Sequence, residues 1–315
     1  MEIIFSGTGY SSSINVKSFS AARNIQILQS AKDVIYNCNK NRNEDKSPLR
    51  DFPYNQDNFD WIEKISEEYK VRGKKLLIIA DSKEIGQIKA LSAYSKFHSI
   101  SLKAKSLEQT AEQAGKFTAE NPQSGIIFIP AAASDSAPAL LEKISNLDSQ
   151  IFVFSESISD DIKNLESKKI VLKKMRIFSP LGLPGLLAGE FMQLDIGQLL
   201  SGARKIDSFL GREAPQKNPA AIFASVIYHS RPEKNGLKFG YSENSLHGIC
   251  EMCKALMGNN LTRNAGNPLT FSFGIGETEQ SDIRLVIDEL SEYKLGMLIY
   301  FLQTASTMLK EFSNL

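Results

Sequence analysis

Glu277 and Glu279 stand two residues apart in the segment GIGETEQSD, with Gln280 beside them. A carboxylate held in such a turn is a candidate general base, and the same pattern also reads as a polar loop or a helix cap. In the segment PAAASDSA, Ser134 and Ser136 flank Asp135 at the start of a predicted helix, where their hydroxyls either receive an anion or cap the helix. Lys168, Lys169, Lys173, Lys174 and Arg176 form a basic run that reads as a cation site or as a solvated face. His247, Cys250 and Cys253 follow i, i+3, i+6 spacing on a predicted helix. Three ligands fall short of a closed zinc site, and the two thiols read as small hydrophobes in a core. No metal and no cofactor are expected.

Elements of two kinds must position these groups. Between Lys74 and Leu172 the runs LLIIA, SISL, GIIFIP, QIFVF and KIVL alternate with helix-like segments such as LEQTAEQAGKFTAE, the pattern of a parallel sheet covered on both faces. Right-handed crossovers then leave the functional crevice at the carboxyl ends of the strands, so the loops after LLIIA and GIIFIP are the places for a ligand. A second α/β unit follows Phe178. Its predicted helices are GLLAGEFMQLDIGQLLSGARKID and NPAAIFASVIYH, its strands LKFGY and LTFSFG, and its closing helix runs through LGMLIYFLQTASTML. The first seventy residues read as a helical entry piece. One helix lies in 18–37, a polar stretch holds Pro48 and Pro53, and a second amphipathic helix begins at Asp57 or Asp60 and stops near Gly73. The expected division is therefore 1–72, 73–174 and 175–315.

Composition narrows the function. The 315 residues carry 37 basic and 36 acidic side chains, a net charge of +1 that offers no broad footprint for nucleic acid. No apolar run approaches the length of a membrane span, and the N-terminal residues lack the basic and apolar regions of a leader. Three cysteines do not make a disulfide framework. These features lead us to expect a cytoplasmic protein without nucleic-acid or membrane partners.

Four segments, in this order along the chain, carry a resemblance: FDWIEKISEEYKVRGKKLLIIA, RIFSPLGLPGLLAGEFMQLDIGQLLSGAR, NPAAIFASVIYH and FGIGETEQSDIRL. Together they resemble bacterial glucose-6-phosphate isomerase, a family of two sugar-isomerase (SIS) domains. SPLGL with the helix pair after it is similar to the family's S-A-V-G-L joint. The resemblance implies an α/β fold of two flavodoxin-like three-layer α/β/α domains with a helical N-terminal extension. It also implies aldose–ketose isomerisation of a hexose phosphate, a sugar phosphate as ligand, and a homodimer.

Matched position by position, the chain departs from the family's chemistry. The glycine-rich turn after the first strand corresponds to Ile79-Ala80-Asp81-Ser82-Lys83, where side chains replace glycines. The phosphate cradle corresponds to PAAASDSA, which keeps the hydroxyls of Ser134 and Ser136 but holds Ala131 at the lysine position and adds Asp135. The family's arginine corresponds to Lys174, with Arg176 two residues on. The proton-carrying glutamate falls in KALMGNN, and no Asp or Glu occurs between Glu251 and Glu277. Ser281 follows Gln280 where the family has the ring-opening histidine, and the final lysine has no match. Three expectations follow: a degenerate family member that retains sugar-phosphate binding, an active isomerase with Glu277 or Glu279 as displaced base, or an interaction protein with a filled pocket.

Overall fold

The computed structural model describes residues 2–6, 9–13, 21–43, 51–93, 100–103, 107–130, 137–167, 169–175, 177–210, 218–230, 236–257, 268–276 and 281–312. Ser134, Ser136, Arg176, Glu277, Glu279 and Gln280 lie outside them. The chain forms two compact units, one made of Met1–Tyr54 with Gly197–Leu315 and the other of Asn55–Ile196. This division differs from the one read off the sequence, because residues 2–6 and 9–13 share a sheet with strands of the C-terminal half.

The inner unit is built on β3 (Leu76–Ala80), β4 (Ile100–Lys103), β5 (Gly125–Phe128), β6 (Gln150–Ser155) and β7 (Ile170–Lys174), the five runs expected from the sequence. They pair in parallel in the order β4-β3-β5-β6-β7. That is the flavodoxin order, with its switch point between β3 and β5. Every residue of β3 and β5 is buried, which explains their uninterrupted apolar sequences. On one face Leu77, Ile79, Ile126, Phe128 and Val153 pack with Phe117 of α4 (Leu107–Glu120) and with Leu141 and Ile144 of α5 (Ala137–Ser145). On the other, Phe152 meets Tyr69 of α2 (Gln56–Tyr69) edge-on at 5.7 Å and Phe191 of α7 (Leu183–Phe191) at 6.1 Å. Asn55 caps α2 by accepting the Asn58 amide at 3.0 Å, so the helix begins earlier than either aspartate suggested.

The outer unit joins strands from the two ends of the sequence in one sheet. Parallel strands β8 (Leu237–Tyr241), β9 (Leu269–Ile275) and β10 (Ile283–Ile287) continue into β1 (Glu2–Ser6), and β2 (Gly9–Ser13) closes the edge antiparallel to β1. The N-terminal segment thus supplies strands as well as the expected helix, which runs as α1 (Ala21–Asn43) and packs on α9 (Pro219–Ser230) and α11 (Glu292–Phe312). Phe223 of α9 lies between Phe271 at 5.6 Å and Phe301 at 5.4 Å, at the centre of this core. The helix expected over 185–207 is broken into α7 and α8 (Ile196–Leu210) by Gln193, whose φ is +61°.

In this unit α8 and α11 cross backbone to backbone. A Cβ on Gly202 would collide with the Tyr293 carbonyl oxygen, and one on Gly296 with that of Leu199. One turn along α8, Arg204 Nε donates to the Pro53 carbonyl at 2.6 Å, and the buried Asp207 accepts from Tyr54 at 3.0 Å and Tyr300 at 2.8 Å. Gly202→Ala is therefore expected to lower stability by about 1–3 kcal/mol through overpacking. Gly115→Ala on α4, whose new Cβ meets only Leu147 at 3.9 Å, should raise stability by up to about 1 kcal/mol. Denaturant midpoints of the two variants check both signs, and a stabilising Gly202→Ala contradicts the close crossing.

Candidate functional site

Sequence and topology both direct attention to the carboxyl edge of the inner sheet. β3 ends at Ala80, and Asp81 turns the chain into α3 (Ser82–Ile88) in extended conformation, with φ −68° and ψ 159°. Its side chain makes no capping bond. Asp81, Ser82 and Lys83 are exposed and Glu84 is half-buried, so the positions matched to the family's glycines present side chains at this edge. Pairing of β5 extends one residue beyond the strand through Ile129 N–H donating to Ile79 at 2.9 Å. Half-buried Pro130 follows, and the hydroxyl-bearing segment 131–136 begins there, outside the described residues.

On the far side of the edge, buried Ser155 ends β6, and its hydroxyl donates to the Ser157 carbonyl at 2.6 Å. Lys174 ends β7 with its side chain in solvent. Two interstrand steps, roughly 10 Å, separate β7 from β5. Lys174 therefore occupies the sheet margin and not the switch point. The neighbouring Lys173 ammonium lies 5.0 Å from the Trp61 ring centre, a partner that the sequence reading of a solvated basic face did not include.

The SPLGL joint is a tight buried turn. Ser179 is fully buried, its hydroxyl accepts the Leu181 amide at 3.0 Å, and its carbonyl accepts the Gly182 amide at 3.0 Å. Gly185 has no room for a Cβ against the Pro180 carbonyl, which accounts for a glycine at that place in the motif. Further along α7, Glu190 is 6% exposed and accepts from the Ser66 hydroxyl at 2.9 Å, with Arg72 at 3.5 Å. Burial raises its carboxyl above the ordinary value; the Ser66 hydrogen bond and the Arg72 charge work the other way, while Glu63 and Asp195 add to the rise.

In the outer unit the sequence candidates separate. His247, half exposed, lies 3.8 Å from Glu251 and packs against Tyr241, with ring centres 5.5 Å apart. Cys250 and Cys253 are buried, and burial pushes the Cys250 thiol up to about 12 and Cys253 well above its usual range. Such thiols are inert core groups. Among the described residues no three His, Cys, Asp or Glu side chains converge on a metal position. Beyond β10, the buried Lys294 ammonium pairs with Asp288 and with Glu289 at 3.3 Å. The sequence reading missed this cluster, and an apolar closing helix gave no signal for a lysine paired at its first turn.

No family model matches the chain, and no curated protein matches it. Solved structures do. A hypothetical protein from Thermus thermophilus superposes with a TM-score of 0.68 at 14% identity, over 92% of this chain and 90% of that one. A glucose-6-phosphate isomerase from Chlamydia trachomatis superposes with a TM-score of 0.58 at 10% identity, over 81% of this chain and 68% of that one. The fold is of the SIS type. Identities this low carry the architecture and leave the activity to the residues themselves. Among the described residues, no helix is long and apolar enough to cross a membrane.

Glu190 gives the SIS joint a measurable signature. A folded chain that holds this proton more tightly than the unfolded chain loses stability as pH rises from the ordinary glutamate value of 4.5 through the raised one. Glu190→Gln should flatten that decline while keeping the Ser66 hydrogen bond. Urea midpoints of both proteins between about pH 4 and pH 8 test this, and parallel curves contradict it.

Proposed function

We propose that this protein binds a sugar phosphate at the carboxyl edge of its inner sheet and does not isomerise it. One observation carries the reading: a flavodoxin-order sheet with its switch point intact accompanies a sequence window, 252–276, without a carboxylate to carry a proton between C1 and C2. The joint SPLGL and the helix pair after it support kinship with glucose-6-phosphate isomerase at the level of the binding scaffold.

Within this reading Ser134 and Ser136 supply hydroxyls to the phosphate, while Lys174 and Arg176 raise the local positive potential. Glu277 and Glu279 remain the carboxylates that an active enzyme with displaced groups would use. They are assigned no proton transfer here.

Fructose 6-phosphate at about one hundred times its Kd should add about 2.7 kcal/mol to stability and raise the melting temperature accordingly. In a coupled assay for glucose 6-phosphate the same protein should show no turnover above the uncatalysed rate. Turnover abolished by Glu279→Gln contradicts the reading in favour of an active isomerase. An unchanged melting temperature contradicts it in favour of an interaction protein.

A further inference from the structure

A strand at the margin of a sheet offers unpaired backbone groups to any other strand, and proteins commonly cover such margins with their own chain. The inner sheet does so at β7. Ile170 N–H donates to the Ser167 carbonyl at 3.0 Å and its carbonyl accepts from Ser167 at 3.2 Å, so the chain entering the strand also closes its outer side. The outer sheet ends at β8, and the bonds from β8 to β9 fix which of its groups look outward. Leu269 N–H donates to the Gly236 carbonyl and Ser242 N–H to that of Phe273, both at 2.9 Å, with Phe239 opposite Phe271. In a parallel ladder of that register Gly236, Lys238, Gly240 and Ser242 turn toward β9, while Leu237, Phe239 and Tyr241 turn their N–H and C=O groups away. Among the described residues nothing bonds to those outward groups.

What fits this edge is decided by its own sequence, LKFGY. A two-fold axis at a sheet edge pairs a strand antiparallel with its copy. Centred on Phe239, that pairing sets Leu237 against Tyr241 and Phe239 against Phe239, so every outward group of the strand meets another and each pair exchanges both its bonds. Lys238 then stands opposite Gly240, the one residue of the strand without a side chain. An axis at Lys238 would set lysine against lysine, and an axis at Gly240 would set Leu237 against Glu243. Leu237 and Phe239 are half-buried and Tyr241 is 38% exposed, an apolar row that the centred pairing covers. On the face of Tyr241, α10 (His247–Met257) packs on β8 and α11. The same axis places α10 and its copy on one face of the joined sheet, where Lys254 and Glu251 of each meet those of the other with signs reversed.

We propose that β8 docks a second copy of this chain, which extends the outer sheet antiparallel across a two-fold axis at Phe239. Strand pairing alone falls short of the about 1,200 Å² that a stable interface buries, so the dimer forms and dissociates with concentration. The contact uses the outer unit alone and does not rest on the sugar-phosphate reading.

Position 240 provides the test, because a Cβ there meets only the Phe271 carbonyl, at 3.7 Å, among the described residues. Sedimentation equilibrium of the full chain should show a monomer–dimer equilibrium. Gly240→Lys sets like charges opposite each other and should raise the dissociation constant about tenfold, whereas Gly240→Glu, facing Lys238, should lower it about fivefold. Adding Lys238→Glu to Gly240→Lys should restore the dimer. Tyr241→Pro removes an outward donor and no bond to β9, so it should abolish the dimer with the fold kept, and it decides the matter if Gly240→Lys does not fold. A wild-type chain that stays monomeric at every concentration overturns the proposal. So does a dimer that Gly240→Lys and Gly240→Glu affect alike, or one that survives Tyr241→Pro.

Discussion

Parallel pairing of strands buried on both faces is the constraint from which the rest of the molecule follows. A parallel strand cannot return by a hairpin, so successive strands of the inner sheet are joined through segments that cross its faces, and α2, α4, α5 and α7 bury Leu77, Ile79, Phe152 and their neighbours. The same geometry gathers every loop that follows a strand at one edge. Asp81, Glu84, Pro130, Ser155 and Lys174 come from distant parts of the chain and reach that edge for this reason alone. The outer unit obeys the rule with one variation: its sheet recruits β1 from the far end of the chain, where Ile3 stands opposite Leu285.

Much of this was legible beforehand. LLIIA, GIIFIP and QIFVF read as strands because burial on both faces requires continuous apolar sequence, and no helix of that length competes. The amphipathic stretches of 18–37 and 59–69 read as helices from their periodicity. β1 and β10 did not stand out, since five residues such as EIIFS acquire meaning only from a partner nearly the whole chain away. For the same reason residues 1–72 read as a helical extension, although residues 2–6 and 9–13 complete a sheet. The break between α7 and α8 depends on Gln193 adopting a positive φ, with Leu194 N–H returning to the Gly189 carbonyl at 2.9 Å, a local conformation that glutamine does not announce.

The site was legible in outline and less so in detail. Topology identified the loops after β3 and β5, and the segments holding Ser134, Ser136, Glu277, Glu279 and Gln280 lie outside the described residues. Lys174 was singled out by its match to the family's arginine, but its strand is the sheet margin, two strands from β5. Packing explains two of the other motif residues: Gly185 of GLPG and Gly202 of LLSG stand where a Cβ would strike a neighbouring carbonyl, so they testify to the scaffold and say nothing of catalysis.

Proton NMR of fructose 6-phosphate incubated with the protein in deuterium oxide tests most directly the proposal that the scaffold binds a hexose phosphate without moving its protons. The account predicts broadened sugar resonances from binding and full retention of the C1 proton signals. Loss of a C1 signal through exchange with solvent deuterium contradicts it, because some group in the protein would then be carrying that proton.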